Sequence, residues 1–416
     1  MTPPGMQPPE RPPSAALEWR WGLYDFGNSA YALLIGGVGF QLYFKEVAFR
    51  HRAGEADFWW GSVVAASILL SAALSPLVGV TADRRGARSR YLSRLTALAV
   101  LGTASLAAVR AESALAAVLA FLFANTLYNV ALALYDSLLP FVAGPSRQGM
   151  VSGRGWALGF AGGIACLSLT HPFFTGAPAQ SEGAYRTGFV LVAAFYGCFA
   201  LPLLLFPPRE EKAGEALAAQ QGPVTQLVTS LKHWRAHRAA FRFILAYYFI
   251  SEAILTSIYF TANYLSTTFS MTASTILGLT VLLQVVAIPA TWLSGRLADA
   301  WSPRKTLAGS VVVWMVVVLL LATATAPWQL YAAAVLMGTV IGSTQAVGRA
   351  CLARLAPPAR SGEFFGLNSM SSKVAATLGP FLFGAVSTMT GSQRMAWLSL
   401  VPFLVIGLAL LLTDRS

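Results

Sequence analysis

One long apolar run follows another along nearly the whole chain, with only short polar breaks between them. A helical membrane crossing takes roughly 20 mostly apolar residues. Twelve stretches meet that need, at about 20–44, 58–80, 91–109, 113–141, 152–175, 184–206, 240–268, 274–296, 305–325, 328–352, 363–389 and 394–413. None sustains a period-two alternation of apolar and polar residues, so helices rather than barrel strands are predicted. Charged residues make up only 11% of the chain, against about 25% in a soluble domain. The expectation is an all-α membrane protein of twelve transmembrane helices. The polar residues are sparsest at 141/152 and 352/363, which makes those boundaries hard to place.

Basic residues set the expected orientation. Of the 29 Lys and Arg, only Lys45, Arg50, Arg52, Arg110, Arg186 and Arg394 fall in the loops on one side, and Lys373 lies inside a span. The rest cluster on the other side, which the positive-inside rule assigns to the cytoplasm together with both termini. The formal charge of +12 is spread over short loops, so it fits anionic lipid headgroups rather than nucleic acid. Residues 1–18 carry six prolines within the first thirteen and no apolar core, so a disordered, polyproline-like tail is expected rather than a signal peptide. Cys166, Cys198 and Cys351 fall inside spans, lack metal spacing and suit small buried packing residues. No metal and no cofactor is implied. HExxH, GxSxG and phosphate-loop patterns are absent from the sequence, so an enzyme has no foothold.

The one long hydrophilic stretch, 207–239, divides the spans six and six. It begins PPREEKAGEALAAQQGP, flexible and polar. It continues VTQLVTSLKHWRAHR, where Val224, Leu227, Val228, Leu231 and Trp234 share a helical face. This helix either lies on the membrane surface or packs on the loops. The halves echo each other. After the second span comes Gly79-Val-Thr-Ala-Asp83-Arg84-Arg85-Gly86-Ala-Arg88, and after the eighth Gly295-Arg-Leu-Ala-Asp299 followed by Arg304 and Lys305. Tyr24-Asp-Phe-Gly-Asn-Ser-Ala in span 1 matches Tyr247-Tyr-Phe-Ile-Ser-Glu-Ala in span 7. Such parallel six-helix repeats build one large class of transporters.

These turns resemble the loop motif of the major facilitator superfamily, the second copy departing at Ala300–Ser302. YDFGNSAY at 24–31, the segments LLPFVAG and VSGRGWALGFAGG within 138–163, LLQVVAIPATWLSGRLAD at 282–299, and GSTQAVGRACLARLAP with EFFGLNSMSSKVAATLGPFLFG within 342–384 are similar to the Atg22-like (UMF1) branch. Departures from that pattern are Phe26-Gly27 for a usual Trp-Ala, Ser251-Glu252-Ala253 for a commoner Asn-Asp-Gly, and Arg154 for an aromatic residue. The resemblance implies two pseudo-symmetric bundles, 19–206 and 240–416, rocking about a central cavity lined by spans 1, 4, 7 and 10. It also implies that the paired turns (Gly79, Asp83, Arg84, Gly86, Arg88; Gly295, Asp299, Arg304) brace the cytoplasmic side as a gate. The family's best-known role is export of amino acids from the vacuole.

Ionisable residues at bilayer depth mark functional positions. Glu252, Thr256, Tyr259 and Asn263 form one polar stripe on span 7, and Asn125, Tyr128, Asn129 and Asp136 another on span 4. Gly338, Gly342, Gln345 and Arg349 share a face of span 10; Thr280, Gln284 and Thr291 share one of span 8. Glu252 is the first choice for a proton carrier, or else it joins helices. Lys373 is the counter-charge of Glu252 or Asp25, a hold for a substrate carboxylate, or a packing ion pair. Asp25 touches substrate, caps local backbone, or pairs with Arg20 or Arg154. Asn28, Asn125, Asn129, Gln284 and Gln345 offer both donors and acceptors. Gly155, Gly159 and Gly163 suit close helix approach, and His171 has no evident role. The sequence thus predicts a monomeric, proton-coupled transporter exporting a small polar or zwitterionic solute by alternating access. It would sit in a bacterial inner membrane. An uncoupled facilitator and a sensor that has lost transport are the alternatives.

Overall fold

The computed structural model describes residues 14–210 and 222–413. Within them every one of the twelve predicted segments is helical, and no strand occurs. α1 (Ala15–Ala30) opens earlier than the apolar run, because Ser14 caps it through Leu17 N–H at 3.3 Å. It continues to residue 48 through two π-helical stretches, Tyr31–Val38 and Phe44–Ala48. α2 (Ala53–Arg85), α3 (Arg88–Ser105), α4 (Ala114–Ser137), α5 (Gln148–Thr170) and α6 (Glu182–Leu205) complete the first set. The second set is α7 (Arg238–Phe269), α8 (Ala273–Ala300), α9 (Pro303–Thr323), α10 (Pro327–Leu355), α11 (Ser361–Thr390) and α12 (Gln393–Leu412, with a turn at 399–400). The uncertain 141/152 break holds a one-turn helix, Leu139–Val142, and the chain re-enters a helix at Gln148.

Nine helices among the described residues are long and apolar enough to cross a membrane. The first rod, α5 and α11 fall short of that measure. α1 is only 16 residues before the π-helical stretch, α5 is rich in glycine and carries Arg154, and α11 carries Glu363 and Lys373. Polar and small residues accumulate on these three rods because they face other helices rather than lipid.

The two sets repeat one arrangement. α1 packs on α5 and α6, and α4 on α2 and α3; likewise α7 packs on α11 and α12, and α10 on α8 and α9. Between the sets, α2 meets α11 and α5 meets α8. These crossings are backbone on backbone. A Cβ on Gly153 would stand 2.6 Å from the Thr291 carbonyl oxygen and 2.9 Å from Gly295 Cα, and one on Gly79 or Gly295 would strike the Gly362 or Gly149 carbonyl. One apolar cluster runs through the first set and on into Leu307, Val347, Leu352, Phe364 and Phe365 of the second. A second cluster is confined to α7–α12. The sets are therefore fused near the ends of α2 and α8, the side where the linker lies.

The linker helix, Pro223–Lys232, turns Leu227 and Ser230 inward and leaves Val224, Val228, Leu231 and the following Trp234 exposed. Gln226 donates to Glu363 of α11 at 2.9 Å. Much of the predicted flexible stretch (211–221), the tail up to residue 13 and Arg415 lie outside the described residues.

Gly153→Val is expected to destabilise the protein by about 1–3 kcal/mol, the usual cost of overpacking. Thermal unfolding of purified protein measures it, with Gly309→Ala as the control because that position has open space around its Cβ. Equal melting temperatures would contradict the backbone contact between α5 and α8.

Candidate functional site

The repeated turns act across the two sets. Asp83, at the end of α2, accepts the Gly362 and Glu363 amides at 3.0 and 2.8 Å. Asp299, at the end of α8, accepts the Gly149 and Met150 amides at 2.9 and 2.6 Å. Each aspartate thereby caps the first turn of a helix in the opposite set, where unpaired amides and the helix dipole favour a negative charge. Gly79 and Gly295 precede them by one turn and let the helices touch. Gly86 ends α2 in the left-handed region at φ 53°, which glycine tolerates without a Cβ clash. Arg88 pairs with Asp83 and donates to the Pro358 and Ala359 carbonyls at 3.0 and 2.8 Å. Glu210, entering the linker, accepts the Arg88 and Ser89 amides at 2.6 Å each. At Asp299 the guanidinium found is that of Arg354, at 2.6 Å. Arg84 and Arg304 lie in the same two turns.

Deeper in the bundle, Arg349 of α10 reaches into the first set. Its Nη1 donates to Asp136 at 2.8 Å and its Nη2 to Asp25 at 3.1 Å. Its Nε donates to Ser152 Oγ at 2.8 Å, and Nη2 also reaches the Ser152 carbonyl at 3.1 Å. The guanidinium carbon sits 4.4 Å from the Trp21 ring centroid, and Trp21 stacks on Tyr135 at 4.6 Å. Gly155 makes the space, since a Cβ there would stand 2.5 Å from Asp25 Oδ2. Lys373 donates to Ser369 on its own helix at 2.6 Å and lies within electrostatic reach of Asp136. Neither Arg349 nor Asp136 stood among the predicted site residues, although both lay on predicted polar faces. Opposite charges at matched depth on spans 4 and 10 were the signal.

The remaining predicted residues divide into separate groups. Asn28 donates to Asp25 at 3.3 Å. Asn125 donates to Ser67 at 2.7 Å, accepts from Tyr31 at 3.4 Å and receives Asn129. Tyr128 stacks on Tyr31 at 4.3 Å. Glu252 does not meet Lys373. It is wholly buried, and its Oε2 accepts the Gly379 amide at 2.6 Å, one residue before Pro380 of α11. Its Oε1 and the Thr256 hydroxyl have no partner there. Gln345 donates only to its own helix, to the Ile341 carbonyl at 3.4 Å. Tyr259 and Asn263 are exposed. Asp25 pairs with Arg349 from the other set, and Arg154 with Glu18 at 2.9 Å. Among the described residues no group of His, Cys, Asp or Glu could hold a metal ion.

Away from these ion pairs, toward the opposite ends of the helices, a cavity of about 270 Å³ opens between α7, α8 and α10, with Phe160 of α5 on its wall. Gln284 lines it. The two sets are thus bolted together at one end, and the second set holds a cavity toward the other, with one wall residue from the first.

The family described as "Vacuole effluxer Atg22 like" matches residues 62–414. The uncharacterized MFS-type transporter YxiO of Bacillus subtilis (strain 168) is 27% identical over 398 residues, covering 94% of this chain and 93% of its own. The human organic anion transporter MFSD10 (TETRAN) superposes with a TM-score of 0.73 at 15% identity, over 97% of this chain and all of that one. A variant of the E. coli fucose:proton symporter FucP does so at 0.75 and 15%, over 95% of this chain and 97% of its own.

Arg349→Gln leaves Asp25 and Asp136 without their cation. The expected loss is about 3–5 kcal/mol of stability, the usual cost of breaking a buried pair. Arg349→Lys restores only part of it, because an ammonium cannot reproduce the planar fork. A thermal double-mutant cycle with Asp136→Asn checks the pairing, and strictly additive losses would refute it.

Proposed function

The chain belongs to the Atg22-like family of the major facilitator superfamily, and on that premise we propose that it is a proton-coupled exporter of a small organic solute. Family and fold are those of a multi-pass membrane transporter, not of an enzyme. In the proposed setting the chain crosses a bacterial inner membrane twelve times, as a monomer. The linker, both termini and the Asp83 and Asp299 turns then lie in the cytoplasm.

The observation that carries this reading is the one-sided closure. Asp83, Asp299 and Arg349 all join residues 19–206 to residues 240–416 near the linker, while the cavity lies toward the other end. Alternating access needs such contacts to form in one state and part in the other. Coupling is assigned to the Asp25–Arg349–Asp136 cluster because it spans the moving parts. Proton binding to Asp136 removes charge that retains Arg349 and favours opening toward the cytoplasm; proton loss favours closure. Glu252 bonds within one bundle, at the Pro380 break of α11, and fits a flexing point there. With Glu252 and Lys373 apart, the charge pattern that favoured a zwitterion is not assembled. Export follows the family description and rests on analogy.

Two measurements test the proposal. Spin labels at Ser146 and Trp301, exposed on the linker side of opposite bundles, should report a short distance at alkaline pH and a longer population on acidification. Asp136→Asn should hold the longer one. In proteoliposomes enclosing a pH-sensitive dye, gradients of amino acids, organic acids and neutral lipophilic compounds should reveal at least one solute whose movement drives protons. Solute flux without proton movement would make the protein a facilitator. No flux, with one fixed label distance, would make it a sensor.

A further inference from the structure

The wall of the cavity between α7, α8 and α10 constrains what can enter. Of its lining residues only Thr261, Thr280 and Gln284 carry polar side chains. Both threonine hydroxyls are already spent on their own helices, Thr261 donating to the Ser257 carbonyl at 2.6 Å and Thr280 to the Ile276 carbonyl at 2.9 Å. The rest of the wall is aliphatic, alanine, Met337 and Phe160. No ionisable side chain reaches it. A carboxylate or ammonium moved there would shed its water and find no counter-charge. The Gln284 carboxamide, half-buried, is the one side chain on this wall with an uncommitted donor and can also accept, whereas the two threonine hydroxyls can only accept.

We propose that this cavity binds an uncharged, lipophilic organic molecule with one hydrogen-bonding group set against Gln284. The proposal rests on the transporter reading for its physiological sense and names the solute class for it. A mostly apolar pocket with one or two placed polar groups is the usual design of a small-molecule site. The charged cluster around Arg349 lies toward the opposite ends of the helices and stays free to carry the proton. Solute and proton thus occupy separate places.

1-Aminoanthracene is a suitable probe, being apolar and neutral at pH 7 with a single amino group. Its fluorescence is titrated against full-length protein in nanodiscs, with empty nanodiscs as the blank. Saturable binding at one site per chain is expected, weakened about fivefold to tenfold by Gln284→Leu, the loss of one hydrogen bond. Ala333→Phe and Ala334→Leu fill the cavity and should abolish saturation. Unchanged melting temperature in at least one of them shows that the fold persists. Leucine as a zwitterion and benzoate as an anion should not displace the probe. Signal that scales with lipid alone, survival of binding in both filling variants, or displacement by leucine or benzoate would each overturn the inference. Saturable binding without any solute or proton flux would instead sink the transporter reading and leave the site standing.

Discussion

A guanidinium withdrawn from water is tolerable only if its charge and most of its N–H groups are met. Arg349 satisfies that condition by drawing on three helices at once: Asp25 from α1, Asp136 from α4 and Ser152 from α5. The arginine itself belongs to α10, in the other set. The requirement of a single side chain therefore fixes how the two sets dock. The apolar cluster that crosses from one set to the other on this side surrounds the ion pairs and deepens their dependence on one another, because a low-dielectric surround makes an unpaired member costlier than a paired one is rewarding.

The aspartate caps carry the same logic to the helix ends, where Arg88 beside Asp83 is as deeply buried as Arg349 and Arg354 beside Asp299 is partly exposed. Each supplies a carboxylate to a helix end that has amides to spare. The supporting glycines matter because hydrogen bonds of 2.6–3.0 Å require the donor helix to lie against the acceptor helix with nothing between them. Sequence order explains the pattern. A duplicated turn placed at the same point in each repeat, combined with the two-fold relation of the repeats, brings each turn to the start of the other repeat's fifth helix.

Much of this was legible in the sequence. The apolar runs gave the helices, the repeated Gly-x-x-x-Asp turns gave the pseudo-symmetry, and period-3.6 counting put Glu252 and Thr256 on one face. What could not be read was which neighbour that face meets. Both residues look onto Gly379 of α11, and no spacing within α7 distinguishes that contact from a view into a cavity. Opposite charge alone matched Lys373 with Glu252 or Asp25, whereas packing sets it within reach of Asp136. Arg349 was passed over because it stands closer to the chain's basic loops. Only the folded arrangement shows that its partners come from the other half. Starts of helices were misplaced where a polar residue begins the helix, as Gln148 does, or caps it, as Ser14 does before Ala15.

The crossed caps have a consequence for how the molecule tolerates change. Damage to the turn carrying Asp83 is felt first at Gly362 and Glu363, and damage at Asp299 is felt first at Gly149 and Met150. A lesion is thus expressed in the half that did not suffer it. Compensating substitutions belong on the far side of the chain's midpoint, and neither half can drift in sequence at its fifth helix without the consent of the other.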